Sequence, residues 1–250
     1  MALKQRSVFS QILASVLVNA IYAMQNYPIM FINTLLSPIS ILIVIVFVSH
    51  GALIGIGIEG ALIMTAVMSG VSIQGDLSHL KNDLKLQDMV VTSPTSAPVY
   101  VAGMGLSEIV FSIPVLILLT ILAAIYIHPT AIQALTIIAV MALMFLFSTA
   151  LGFFLSTLTT DVLQSWGFSG IVTVLLSTIP PVYYPITYIP LPFRYIAYIS
   201  PTTYAAQIAQ ASMNYIAVDP IALFVDWVIV ILVCIVLLVV GYRKARWREP

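Results

Sequence analysis

Asp76-Leu-Ser-His-Leu-Lys-Asn-Asp-Leu-Lys-Leu-Gln-Asp-Met-Val-Val-Thr-Ser-Pro-Thr-Ser-Ala-Pro98 is the one long polar stretch inside this chain. It carries five charges, Asp76, Lys81, Asp83, Lys85 and Asp88. Around it the composition is extreme: 61% of the 250 residues are hydrophobic and 7% are charged. The mean hydropathy is +1.12. A soluble core has no use for so much apolar surface, whereas a bilayer does. The polar stretch is therefore expected to project into water from a body that sits in lipid.

Working outward, the apolar runs on both sides reach the ~20 residues needed to cross ~30 Å of hydrocarbon. The alternating segments of a β-barrel, about ten residues each, are missing. The expectation is an all-α polytopic membrane protein with six spans, at residues 28–49, 54–74, 99–126, 131–158, 162–179 and 220–242. All six belong to one transmembrane domain, 1–250. Pro38 and Pro114 fall inside spans, where lipid-embedded helices tolerate them. Asp219-Pro220 suits the start of the last span, with Asp as cap and Pro at the first helical position. Net charge is zero, which argues against a basic surface for nucleic acid. The lone Cys234 lies in an apolar run, has no partner for an internal disulfide and reads as packing.

Residues 7–26 have a different pattern. Val8/Phe9, Ile12/Leu13, Val16/Leu17, Ala20/Ile21 and Met24 recur every three to four positions, with Ser, Gln and Asn between them. That periodicity predicts a helix with one apolar stripe. Its other side is polar enough to favour lying in the membrane interface over crossing, with Lys4 and Arg6 near lipid phosphates. The run is too interrupted for a cleavable signal peptide.

Residues 180–207 are expected to break helical structure at the opposite face. Six of the fourteen prolines, Pro180, Pro181, Pro185, Pro190, Pro192 and Pro201, fall here, and no continuous helix survives that spacing. Six of the twelve tyrosines join them, and tyrosine favours the membrane–water boundary. A broken, partly re-entrant segment of short helices fits both facts. Arg194 within it is expected to snorkel or pair. Six spans put both termini and the 76–98 stretch on one side, together with eight of the nine Lys and Arg; only Arg194 lies opposite. By the positive-inside rule that side is the cytoplasm, and the localisation expected is the cell membrane.

No enzyme constellation appears. There is no Gly-x-x-x-x-Gly-Lys, no His-Glu-x-x-His and no Gly-x-Ser-x-Gly. Glu59, Glu108 and Asp226 are the carboxyls placed inside spans. Glu59 has two readings: a substrate or proton group in a pathway, or a hydrated or hydrogen-bonded carboxylate near the interface. Within 76–91, Leu77, Leu80 and Leu84 share one helical face, bordered by Leu86 and Met89, with Lys81, Asp83, Lys85 and Asp88 as a polar rim. Such a helix suits a partner groove, although a solvated linker hairpin has the same composition.

Two stretches carry a resemblance. Leu86 through Gly103 is similar to an amphipathic helix, a Ser-Pro turn and a small-residue entry into the next span. Pro185 through Tyr204 is similar to the external Pro … Leu-Pro … Pro-x-x-Tyr signature that precedes a last span. Together they resemble the permease subunits of ABC-type exporters, the type-two export family of drug, lipid and polysaccharide exporters. Ser200 stands where that family often has Asn.

The resemblance implies a permease that moves a hydrophobic or amphipathic compound out of the cytoplasm. Its partners would be a pair of cytosolic ATP-binding subunits, holding the ATP and magnesium that this chain does not bind, and a second permease copy. The 76–91 helix would be the coupling helix, docking through Leu77, Leu80, Lys81, Leu84, Lys85, Leu86, Asp88 and Met89. Spans two and five would line the pathway, which points to Glu59, Met64, Met68, Trp166 and Phe168. Tyr184, Pro185, Pro190, Arg194, Pro201 and Tyr204 would form an external gate. Export of a lipid-linked saccharide and, in another class, an intramembrane enzyme built on Glu59, Asp226 and Glu108 are the alternatives.

Overall fold

The structure is a computed structural model that describes residues 7–26, 28–82, 97–159 and 161–244. It is helical, with no strand among the described residues. The first segment runs as α1 (Val8–Val16), a π-helical turn (Leu17–Tyr22) and α2 (Ala23–Asn26). Five long helices follow in α3 (Pro28–Val48), α4 (Ile54–Asn82), α5 (Ala97–Tyr126), α6 (Ala131–Ser156) and, after α7 (Val162–Ser177), α10 (Pro220–Lys244). Between α7 and α10 lie a short 3-10 turn (Ile186–Tyr188), α8 (Arg194–Ala197) and α9 (Pro201–Ser212).

Helical segments Val8–Asn26, Ile54–His79, Val99–Tyr126, Ala131–Ser156 and Pro220–Gly241 are long and apolar enough to cross a membrane. Thr34–Val48 and Val162–Ser177 are shorter apolar helices. The N-terminal segment thus meets the length and composition of a span. Its packing shows which way it faces. Asn19 Nδ2 reaches Met104 Sδ at 3.2 Å, and Ser15 lies against Gly103, so the polar side turns to α5. Phe9, Val18 and Tyr22 point outward.

Helix α4 is the centre. Nearly nine-tenths of its apolar window is buried, far more than in any other span-length helix, and it touches α3, α5, α6, α7 and α9. Small residues make this possible. Lipid offers no hydrophobic drive for helix association, so close backbone approach has to supply the attraction. At the α4–α6 crossing a Cβ on Gly70 would stand 2.6 Å from the Thr149 backbone nitrogen. A Cβ on Gly152 would stand 2.7 Å from the Gly70 carbonyl oxygen. Ser148, fully buried, donates to the Ala66 carbonyl across the same seam at 3.4 Å. Around it Ile63, Met64, Val67, Leu119, Val140 and Met144 form the core.

Helix α4 is longer than the span expected at 54–74, running unbroken through Asn82. Nothing in Gly75-Asp-Leu-Ser-His stops a helix once α5 covers one side of it, and a helix termination signal such as Pro appears only at Pro94. The first residues of the polar stretch therefore continue α4 rather than starting a new element.

The crossing generates a prediction. Gly152→Ala forces backbone apart and should lower stability by about 1–3 kcal/mol. Gly170→Ala, with open space at its Cβ, should instead gain about 0.5–1 kcal/mol, because it removes helix-disfavouring freedom. Thermal unfolding of the two purified variants in one detergent measures both signs.

Candidate functional site

At the 76–82 end of the bundle, α4 and α5 share a polar cluster. Ser72 Oγ donates to Glu108 Oε2 at 2.6 Å, and the Asp76 side chain hydrogen-bonds the same glutamate. Ser72 and Asp76 are one turn apart on α4 and so present the same face to α5. A bond between two carboxyl groups needs a proton on one of them, because an ionised carboxylate only accepts. Tyr100 and His79 lie within electrostatic reach of Asp76. One turn deeper, Ser69 and Ser112 pair hydroxyl to hydroxyl at 2.6 Å. By its place in the polar stretch, Asp76 belongs with the charges expected to project into water. The structure places it in the helix–helix contact instead, because α5 supplies Glu108 as a partner that no spacing rule links to residue 76.

At the proline-rich end the segment 178–200 lies over α9. Its backbone cannot form a continuous helix, so side chains of α9 and its own residues take up the carbonyls. Thr202 Oγ1 donates to the Leu176 carbonyl at 2.9 Å, and Thr203 Oγ1 to that of Ala197. The Tyr204 hydroxyl donates to the Tyr198 carbonyl at 2.8 Å, with the two rings 5.8 Å apart. Gln210 Nε2 donates to the carbonyls of Pro181 (3.1 Å) and Tyr184 (3.4 Å). Arg194 is bonded to backbone, its Nη2 reaching the carbonyls of Ile189 (3.1 Å) and Thr187 (3.3 Å). Pro185 ends the extended stretch and precedes the 3-10 turn, Pro190 is exposed beyond it, and Pro201 is the first residue of α9. Thr202, Thr203 and Gln210 were missed in the sequence. The available signal was amide and hydroxyl side chains on a helix otherwise rich in alanine.

This cap rests on the start of α4. A Cβ on Gly60 would come 2.5 Å from the Val182 carbonyl oxygen, so the cap's backbone lies directly on the helix. Glu59 is 1% exposed here, and neither carboxyl oxygen has a hydrogen-bond partner among the described residues. Of the two readings open from the sequence, this burial departs from the hydrated or hydrogen-bonded interfacial carboxylate, since Gly55 and Gly60 on either side let Tyr215 and the cap close over it. Burial, and after it the Glu59 carboxyl, raise the Tyr215 hydroxyl above the ordinary phenol range. Asp226 on α10 is buried too and lies near Tyr204.

The remaining candidates separate. Met64 is a core residue, and Met68 packs at the core's edge. Trp166 and Phe168 are exposed on α7, where the Trp166 ring also lies 3.4 Å from the position of a Gly75 Cβ. Leu77 is half-buried on α4, and Leu80 and Lys81 belong to the last turn of that helix. Leu84, Lys85, Leu86, Asp88 and Met89 lie outside the described residues.

The carboxyl cluster is open to direct test. In Glu108→Gln the amide can still donate to Asp76 and accept from Ser72, so stability should stay within about 0.5 kcal/mol of wild type. Glu108→Ala strands both partners and should cost about 1–3 kcal/mol. Equal losses in the two variants, read by thermal unfolding, would show that the contact is not a hydrogen-bonded one.

Comparison with known proteins gives one family. No curated protein matched the chain. The profile of the ABC-2 type transporter family matches residues 7–214, from the N-terminal helix through α9. That span holds the carboxyl cluster, the central helix and the proline-rich cap, and most of the chain's length. The chain belongs to the ABC-2 type transporter family, as a multi-pass membrane permease.

Proposed function

We propose that this chain is the permease of an ATP-driven exporter of hydrophobic or amphipathic compounds, coupled to a separate pair of cytosolic ATP-binding subunits. The observation that carries the coupling is the continuity of α4. Its 29 residues give a rod of about 43 Å at 1.5 Å per residue, longer than the ~30 Å of hydrocarbon it crosses. One end is pinned to the cap at Gly60 and Val182, and the other hands over to the amphipathic stretch that follows Asn82. A displacement at residues 77–91 would therefore reach the cap through a rigid element. ATP binds and is hydrolysed, with magnesium, on the partner subunits. It drives the cycle because it binds one state of the assembly better than the other.

In this reading both termini are cytoplasmic, Val8–Asn26 lies along the inner interface and residues 180–207 gate the exit. Exposed Trp166 and Phe168 on α7 support a pathway there, facing a second permease copy. Aromatic side chains accept varied apolar ligands by re-packing. Glu59, closed over by the cap, would meet a substrate only when the cap lifts.

Gentle solubilisation of tagged protein from its native cells, followed by identification of bound ATP-binding proteins, tests the docking. The wild type should bring down an ATPase, and Leu80→Asp with Leu84→Asp should lose it while inserting normally. Retention by the variant, or absence of any ATPase from the wild type, would remove the docking assignment and favour an ATPase-free channel or an intramembrane enzyme.

A further inference from the structure

A cavity of about 740 Å³ opens on the side of the bundle away from α7, between α4, α5, α6 and α10. This is within the range of ligand-sized sites, roughly 300–1,000 Å³. It is no part of the proposed pathway. Helix α4 meets the cavity through Thr65, Ala66 and Ser69. It meets α7 through Val71, Gln74 and Gly75. At 100° per residue these sets lie on opposite sides of the helix.

We infer that this cavity is a seat for one acyl chain of a bilayer phospholipid. Its shape argues for that occupant. On α5 the lining runs from Val101 to Leu116 and on α6 from Ile138 to Phe153, which at 1.5 Å per residue is a slot roughly 22 Å long. The slot follows the helix axes, which is the direction of a lipid tail. Its floor consists of small buried groups, Ala66, Gly105 and Ala150, while Leu106, Ile138 and Leu146 at its rim are exposed.

The chemistry excludes other fillings. Three of the four hydroxyls on the lining are already bonded: Ser69 and Ser112 bond each other, and Thr65 donates to the Ala61 carbonyl at 2.7 Å. That leaves the buried Thr149 Oγ1 as the one without a partner among the described residues, fewer than the two to four polar partners a held water needs. Apolar cavities stay dry. A polypeptide strand or loop laid into the slot would leave its backbone groups unsatisfied at membrane depth. An acyl chain needs no polar partner and is present at high concentration at the mouth.

The test uses the full chain in phosphatidylcholine–phosphatidylglycerol vesicles doped with a phospholipid that carries a diazirine midway along one acyl chain. Irradiation and peptide mapping should place adducts on the slot wall, at Ile109 and Phe145, and on the exposed face of α10 outside the slot, at Leu232. Filling the slot with Ala102→Leu and Ala142→Leu should abolish the wall adducts and leave those at Leu232. A second measurement needs only the wild type. Washing in lipid-free detergent before irradiation should remove the Leu232 adducts and spare those in the slot. The inference is overturned if the slot is never labelled, if the filled variant labels as the wild type does, or if slot and Leu232 adducts wash away together. A disulfide between two copies through Leu106→Cys that forms in place of lipid labelling would also overturn it, by making the slot a contact between permeases.

Discussion

The approach of α4 to α6 at Gly70 and Gly152 is the constraint on which the rest of this structure depends. In lipid, an apolar side chain gains little by leaving the tails for a neighbouring helix, so contact has to come from packing density and polar bonds. Two glycines facing each other bring carbonyl oxygens and backbone nitrogens to distances that no Cβ would allow. That seam holds α4 in the middle of the bundle, and a helix held in the middle can meet α3, α5, α7 and α9 as well. Replacing it with larger residues would push α4 outward and open every other contact it makes.

A buried central helix changes what polar residues can do. Ser69, Ser72 and Asp76 fall on its α5 side and find Ser112 and Glu108 there, each bond worth more for being made away from water. At the opposite end Glu59 finds no such partner, and the cap closes over it. The two ends of one helix thus differ in kind. One is locked by hydrogen bonds to its neighbour; the other carries a buried group whose partner is absent from the described chain.

The proline-rich cap solves a backbone problem. Prolines forbid a continuous helix between α7 and α9, and stray carbonyls near lipid are costly. Helix α9 answers with a row of donors, Thr202, Thr203, Tyr204 and Gln210, that point back at the segment before it. The cap is therefore an ordered layer whose position is set by α9 and by the Gly60 contact with α4.

Much of the architecture was legible in the residues themselves. Apolar runs of span length, the four-residue periodicity of 7–26 and the proline spacing of 180–201 are local properties, and helix boundaries follow local properties because backbone hydrogen bonds within a helix are local. The α5, α6, α7 and α10 bounds fall within two residues of the expected ones. The family was legible too, since its motifs are contiguous stretches. What needed the tertiary structure was every statement about neighbours. The carboxyl pair joins residues 76 and 108, the cap joins residue 60 to 182, and the slot is assembled from four helices. Met64 and Trp166 look alike as apolar residues of spans, yet one is core and the other is exposed. Composition establishes that a helix belongs in lipid. Which of its faces meets lipid, protein or cavity depends on where the other helices stand, and that is decided only when the glycine seam brings α4 and α6 together.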